Sequence, residues 1–286
     1  MALLNLKEIL KKARKEKYAV IATVAFNFDY VETIIRAAEE KNSPVILQIG
    51  EGVFNYFNFD KLTGPMIELA KEANVPVVMH LDHGKNIKII MECIRKGFTS
   101  VMFDGSELTL NENIRIVKNI TSLAHALDIT VEGEVGIVGG LEGSFHSDTK
   151  ESEPDHYTQF KDAIKFVEET DVDALAIAVG TVHGVYKSAP KIDFDRISKI
   201  RRAIDTPLVL HGGSGLVDED FKKVINNGIC KINYVTNLVI DAAVKVKEFL
   251  QAENCLNYME INKVAMTEIR ERIKIKMDLF GSSGKA

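Results

Sequence analysis

The stretch PVVMHLDHGKNIKIIMECIRKG, residues 76–97, reads as one strand followed by one helix. Its first half is a β-rich apolar run. Its second half spaces apolar residues for one helix face and closes on a glycine suited to a left-handed helix end. The polar residues His80, Asp82 and His83 gather where the strand gives way to the loop. The same kind of run recurs as VIATVAFN from 20, PVILQIG from 44, SVMFDGS from 100, ITVEGEVG from 129, ALAIAVG from 174, PLVLHGG from 207 and CKINYVT from 230. Amphipathic stretches such as DYVETIIRAAEEKN, TQFKDAIKFVEETD and DEDFKKVINNG lie between them. Nearly continuous apolar strands indicate a parallel sheet covered on both faces, and eight such units predict an α/β fold of the (β/α)8 TIM-barrel type. A doubly wound open sheet is the alternative. Helical stretches over 1–17 and about 256–280 fall outside the eight units, and these additional N- and C-terminal helices are expected to cap the barrel or meet a partner subunit.

The 286 residues are expected to form one domain, 1–286, because barrels commonly run to about 250 residues. A hydrophobic content of 46% supplies a large core, and 27% charged residues with a net charge of −5 exclude the disordered and membrane classes. Lys11, Lys12, Arg14, Lys15 and Lys17 alternate with residues of a buried helix face, so they read as a solvated face and no nucleic-acid partner is expected. No apolar run reaches the length of about 18 residues that a membrane span needs, and the N-terminus has no uninterrupted apolar signal core. Cys93, Cys230 and Cys255 are odd in number and widely spaced, which points to reduced thiols and a cytoplasmic location.

In a barrel the working face is the C-terminal end of the strands, and Asp82, His83, Asp104, Glu134, His183, His211 and Asn233 all fall there. Three histidines on three strand ends suggest a catalytic zinc site, since such a site takes three protein ligands and keeps a fourth position open. Strand alternation puts His80 and Asp82 on one side and His83 on the other, unless the chain is already turning at His83. Asp82 is a candidate acid/base, ligand or orienting group. Glu132 and Glu134 share a strand face; they form a second cation position with Asp104, or orient ligands and pair with Lys231. Glu142, in GGLEG, lies on a long polar loop over about 136–157 that reads as an active-site lid. Gly184, the run Gly212, Gly213, Ser214, and then Asn233, Tyr234, Val235 and Thr236 make a glycine-rich group after strands 6 to 8, where barrels place a phosphate cradle.

Taken in order, AFN ending at Asn27, HLDHG at 80–84, VEGEVG at 131–136, VGGLEG at 138–143, GTVHG at 180–184, LVLHGGSG at 208–215 and CKINYVT at 230–236 resemble the class II, zinc-dependent ketose-bisphosphate aldolases. The resemblance covers nearly the whole chain. It implies a lyase that reversibly cleaves a ketose 1,6-bisphosphate to dihydroxyacetone phosphate and glyceraldehyde 3-phosphate, with fructose 1,6-bisphosphate expected and tagatose 1,6-bisphosphate or a related phosphorylated ketose the alternative. It implies zinc on His83, His183 and His211, and a second or alternate metal position at Asp104 and Glu134. Asp82 would exchange the proton at the C4 oxygen and Glu142 the proton at C3. Gly184, Gly212, Gly213, Ser214, Asn233, Tyr234, Val235 and Thr236 would bind phosphate beside a monovalent cation, Na+ or K+, and Asn27 and Gly50 would lie at the substrate. A homodimer or homotetramer is implied. Cleaving C3–C4 leaves a carbanion, and a Lewis acid can carry that charge where other aldolases use a lysine Schiff base. A zinc hydrolase on the same barrel is a remote alternative, but VIATVAFN lacks the histidine pair such enzymes carry after strand 1. Gly50 stands where related enzymes often have serine, Val182 where they have serine, and Gly143 where they have an acidic residue.

Overall fold

The computed structural model describes residues 2–56, 58–140, 154–186, 188–253 and 256–286. Eight parallel strands close into a barrel in sequence order: β1 Val20–Val24, β2 Val45–Gly50, β3 Val77–Gly84, β4 Ser100–Phe103, β5 Thr130–Val135, β6 Ala174–Ile177, β7 Leu208–Leu210 and β8 Ile229–Asn233. Each expected run is thus a strand, and β1 pairs with β8 to complete the closure. The open-sheet alternative is thereby removed.

Alternation along each strand sorts the side chains into two environments. Ile21, Leu47, Met79, Val101, Val131, Leu175 and Ile232 point outward into the layer beneath the helices. Inside the barrel, Val20, Ala22, Ile46, Val78, Ala174 and Val209 form an apolar plug toward the strands' N-terminal ends. Further along the same inner rows come Gln48, His80, Asp82, Glu132, Glu134, His211, Lys231 and Asn233, all buried. The interior is therefore apolar at one end and polar at the other, and the charged end is the C-terminal mouth.

Helix α1, Leu6–Glu16, closes the apolar end. Asn5 caps it reciprocally with Glu8, and Leu6, Ile9, Leu10 and Ala13 pack into the plug. Its opposite face is not wholly solvated. Arg14 turns onto the 204–206 turn, donating to Ile204 O at 3.0 Å and pairing with Asp205 at 2.8 Å.

The outer ring is α2 Phe28–Lys41, α3 Phe59–Glu72, α4 Ile87–Lys96, α5 Leu110–His125, α6 Phe160–Thr170, α7 Phe194–Ala203, α8 Asp218–Asn227 and α9 Thr236–Glu253. The expected C-terminal helix is α10, Tyr258–Phe280, which lies along α2 and α9 and buries Ile269, Ile273, Met277 and Phe280. Arg270 and Arg272 on this helix pair within the chain, with Glu40 at 3.5 Å and Glu268 at 2.7 Å. No described helix is long and apolar enough to cross a membrane. Cys93 and Cys230 are buried free thiols, and Cys255 lies outside the described residues.

Candidate active site

The end of β3 resolves which way its polar residues face. His83 has φ of +47°, a left-handed value uncommon for a side-chain-bearing residue, and the pairing with β4 shifts register between Leu81 and Gly84. This irregularity breaks the alternation, so Asp82 and His83 both serve the mouth although they are adjacent in sequence. The ring centroids of His83 and His211 lie 4.6 Å apart, those of His83 and His183 4.9 Å, and those of His183 and His211 5.8 Å. Each of the three offers a ring nitrogen within 4.8 Å of the others.

His211 tests whether a cation fits this group. Its Nε2 lies 2.9 Å from Glu132 Oε1, so that nitrogen is the donor and the Nδ1 lone pair faces the site in the neutral ring. With the ring neutral, the buried His211 Nδ1 and Glu134 Oε2, 3.2 Å apart, have no hydrogen-bond partner, and only a cation between them, a proton or a metal, satisfies both. Two orphaned buried ligand atoms beside two further imidazoles fit a divalent metal. His83, Asp104 and Glu134 form an overlapping group with ligand atoms also within 4.8 Å, the alternate position expected from sequence.

The electrostatics treat the histidines differently. Burial opposes protonation of His211, but Glu132 and Glu134 prevail and raise it to about 9. Burial, then the neighbouring imidazoles His83 and His211, hold His183 well below the usual histidine range, in its neutral ligand form. Burial raises Asp104, yet the bond from His83 Nδ1 at 3.0 Å outweighs it, and the carboxylate ends well below its ordinary value. Ser106 steadies the second Asp104 oxygen through its amide at 3.1 Å and its hydroxyl at 2.6 Å.

Asp82 is fully buried and held as an acceptor. Gln48 Nε2 donates to it at 3.1 Å, and Asn233 Nδ2 at 3.2 Å. Gln48 had no sequence signal beyond being the one polar residue in VILQIG. Glu132 accepts from Lys231 Nζ at 2.8 Å as well as from His211, so the pairing alternative describes it, whereas Glu134 belongs with the ligand group. His80 lies deeper, its Nδ1 2.9 Å from Ser100 Oγ.

The glycine-rich group assembles after β6, β7 and β8. Gly184 and Gly212 have φ of +82° and +68°, and a Cβ on Gly212 would overlap the Val182 carbonyl, so this turn requires glycine. Gly213–Gly215 form a short 3-10 turn in which Ser214 Oγ accepts the amides of Val235 at 3.0 Å and Thr236 at 2.9 Å. Besides these two amides, Asn233 and Tyr234 of the expected cradle also make contacts within the chain. Asn233 donates to Asp82, and Tyr234 buries its ring beside Phe221, 6.1 Å between centroids, while its amide bonds Ala22 O at 2.9 Å. Asn27 lies just past β1 and caps α2 by accepting from Tyr30 N at 2.8 Å. Gly50 ends β2 opposite Asp82.

Of the loop over 136–157, residues 141–153, with Glu142 and Gly143, lie outside the described residues. Its two ends are joined by Ile137 N donating to His156 O at 2.9 Å. Gly139 O accepts from His183 N at 2.7 Å, so the loop's first limb leaves directly from a candidate ligand.

The model of the family Fructose-bisphosphate aldolase class-II matches residues 4–285. A protein of Alkalicoccus urumqiensis named sulfofructosephosphate aldolase is 38% identical over 291 residues, covering 100% of this chain and 99% of the relative. The crystal structure of the YdjI aldolase from Escherichia coli K12 superposes with a TM-score of 0.88 at 34% identity, over 99% of each chain. A fructose-bisphosphate aldolase structure from Campylobacter jejuni, at 22% identity and a TM-score of 0.81 over 100% of this chain and 97% of that one, shares the fold.

Proposed function

The chain belongs to the class-II fructose-bisphosphate aldolase family, and from that premise we propose that it cleaves a ketose 1-phosphate bearing a second anionic group, with fructose 1,6-bisphosphate the first candidate. Family membership makes it a lyase acting on phosphorylated sugars, which sets the hydrolase reading aside. The observation that carries the proposal is the convergence of His83, His183 and His211 on one point beside the buried carboxylate of Asp82.

The family uses a divalent metal, and zinc on the three histidines is our assignment. When bound, the metal supplies a Lewis acid for the ketose carbonyl. Asp82, fixed as an acceptor by Gln48 and Asn233, takes the proton from the C4 hydroxyl as C3–C4 breaks and returns it in the condensation direction. Glu142, carried on the loop over about 136–157, exchanges the proton at C3. The backbone around Gly212 and Gly213, the Ser214 hydroxyl and the start of α9 hold the 1-phosphate at the mouth, with Na+ or K+ beside it. We take the chain as one catalytic domain working in the cytoplasm as a homodimer or homotetramer.

A second reading is favoured by the Alkalicoccus relative: a sulfo group in place of the 6-phosphate. Coupled assays of zinc-loaded protein on fructose 1,6-bisphosphate, tagatose 1,6-bisphosphate and sulfofructose 1-phosphate separate the readings, because each yields dihydroxyacetone phosphate and a different rate. Release of triose phosphate from at least one is expected. No cleavage of any of the three above background overturns the proposal.

A further inference from the structure

His80, Asp82 and Glu132 form a second ligand-bearing group inside the barrel, beneath the three histidines of the mouth. All three are fully buried. His80 Nε2 lies 3.7 Å from Asp82 Oδ1 and 3.6 Å from Glu132 Oε2. Ligand atoms about 3.5 Å apart are what bonds of roughly 2.1 Å give around a tetrahedral metal. Imidazole nitrogen and carboxylate oxygen are also donor types that such an ion accepts. By chemistry and spacing alone, this cage competes with the mouth for the metal.

The cage already holds a cation. Lys231 reaches in from β8 with its side chain fully buried, its Nζ 2.8 Å and 3.1 Å from the two Glu132 oxygens and 3.9 Å from Asp82 Oδ1. An ammonium so placed repels a divalent ion and occupies the lone pairs that would bind it. The same Glu132 oxygen that accepts from Lys231 at 3.1 Å accepts from His211 Nε2 at 2.9 Å. We propose that Lys231 is a positioning residue that acts as a built-in cation: it bars divalent metal from the inner His80, Asp82 and Glu132 cage, and so confines the metal to the mouth with Glu132 left to orient His211. Two further facts fit this role. Asn233, two residues on along the same inner row of β8, holds Asp82 through its amide, so β8 supplies both the charge and the hydrogen bond that keep the catalytic carboxylate free of metal. A Lys–carboxylate pair buried this completely contributes little net stability against an apolar replacement, so its retention calls for a reason other than stability.

The inference deepens the proposed function, since it assumes metal at the mouth, and cobalt substitution separates the two. Apo protein is titrated with Co2+, and the visible absorption and the stoichiometry are read together. Lys231→Ala vacates the cage and is expected to bind one equivalent of Co2+ more than wild type, with an added absorption band and a metal-dependent rise in melting temperature larger than that of wild type. Adding Glu132→Gln to Lys231→Ala removes a cage ligand and is expected to abolish the extra equivalent. Wild-type stoichiometry and spectrum in Lys231→Ala overturn the role given to Lys231. Absence of Co2+ from wild type overturns the mouth as the metal site, while an equivalent gained by Lys231→Ala would still support the cage. If Lys231→Ala folds only with metal present, Lys231→Met/Glu132→Gln replaces the buried charges together. It is expected to bind Co2+ at the mouth at least tenfold more weakly than wild type, because His211 has lost its orienting carboxylate, and wild-type affinity in that double variant overturns the linkage.

Discussion

Ser214 and Thr236 are joined across the gap between β7 and β8: the Ser214 hydroxyl oxygen accepts the Thr236 amide at 2.9 Å, and the Val235 amide at 3.0 Å. Having accepted twice, the hydroxyl keeps its own proton to donate outward. Ser214→Ala leaves two buried amides without their acceptor and removes that donor. Each unsatisfied amide costs about 1–3 kcal/mol, so a clear loss of stability in urea is expected. The kinetic signature should be a KM for the ketose phosphate raised roughly tenfold or more, one charged hydrogen bond being worth about 1.5–3 kcal/mol. An unchanged KM would remove Ser214 from the phosphate site.

Asp82 and Glu142 are given different protons, and isotope exchange can tell them apart. Asp82→Ala is expected to lower the cleavage rate by about 10²- to 10⁴-fold while metal content and tritium exchange at C3 of dihydroxyacetone phosphate persist. Glu142→Ala should show the reverse weighting, retaining metal and slowing C3 exchange. Equal losses of both reactions in both variants would show that the two residues act on one step. Gln48→Ala supplies a graded control, because it removes only the 3.1 Å bond that fixes Asp82. It should lower kcat less than Asp82→Ala and leave metal content unchanged.

The carboxylates around His211 fix the direction of the pH response. In metal-free protein its folded value is raised to about 9 against an ordinary value near 6.5, so the protonated ring stabilises the fold. That contribution is fully present below about pH 6.5 and is lost as pH rises through about 9. A divalent metal needs the Nδ1 lone pair and must displace the same proton. Metal affinity should therefore rise from pH 7 to 9 while apo stability falls over that range, and binding near pH 7.5 should release about one proton. Calorimetry in two buffers of different ionisation enthalpy measures that proton directly. A buffer-independent heat would mean that His211 is already neutral.

The eight strands were legible because each carries its own apolar run and each run ends in a loop or helix signal. Their polar ends marked the mouth for the same reason: unusual side chains on a buried strand must be satisfied somewhere, and the C-terminal rim is where a barrel can do so. What the sequence withheld depends on contacts between distant strands. Alternation could not settle the direction of His83, since the register shift against β4 and the left-handed backbone belong to the folded pair of strands. Asn233 was grouped with the phosphate by its neighbours in sequence, and its bond to Asp82, 151 positions away, is made only by barrel closure. Tyr234 shares its motif but follows the outward row into the core beside Phe221. Gln48 carried only the signal of a lone polar residue in VILQIG, because a glutamine in an apolar run becomes informative only once Asp82 is beside it.

Gly50 is the departure that bears on specificity, and the structure leaves room to reverse it. It ends β2 in register with Asp82, its φ is not in the left-handed region, and an added Cβ would meet only the Asp82 carbonyl at 3.7 Å, an ordinary van der Waals contact. Glycine is thus not demanded there by the backbone, in contrast to Gly212, where the turn demands it. Gly50→Ser should fold with a melting temperature close to wild type and bring a hydroxyl to the rim beside the catalytic carboxylate. Because a hydrogen bond to a substrate hydroxyl or anion is worth about 0.5–3 kcal/mol, the expected change is a severalfold to about hundredfold shift in kcat/KM among the three candidate sugars, in favour of fructose 1,6-bisphosphate. The shift should appear in ratios between sugars, with C3 proton exchange of dihydroxyacetone phosphate alone unaffected, since the proposed function assigns that half of the substrate to the β7–β8 cradle. A variant that folds normally and keeps the wild-type ratios would place the specificity contacts elsewhere on the rim.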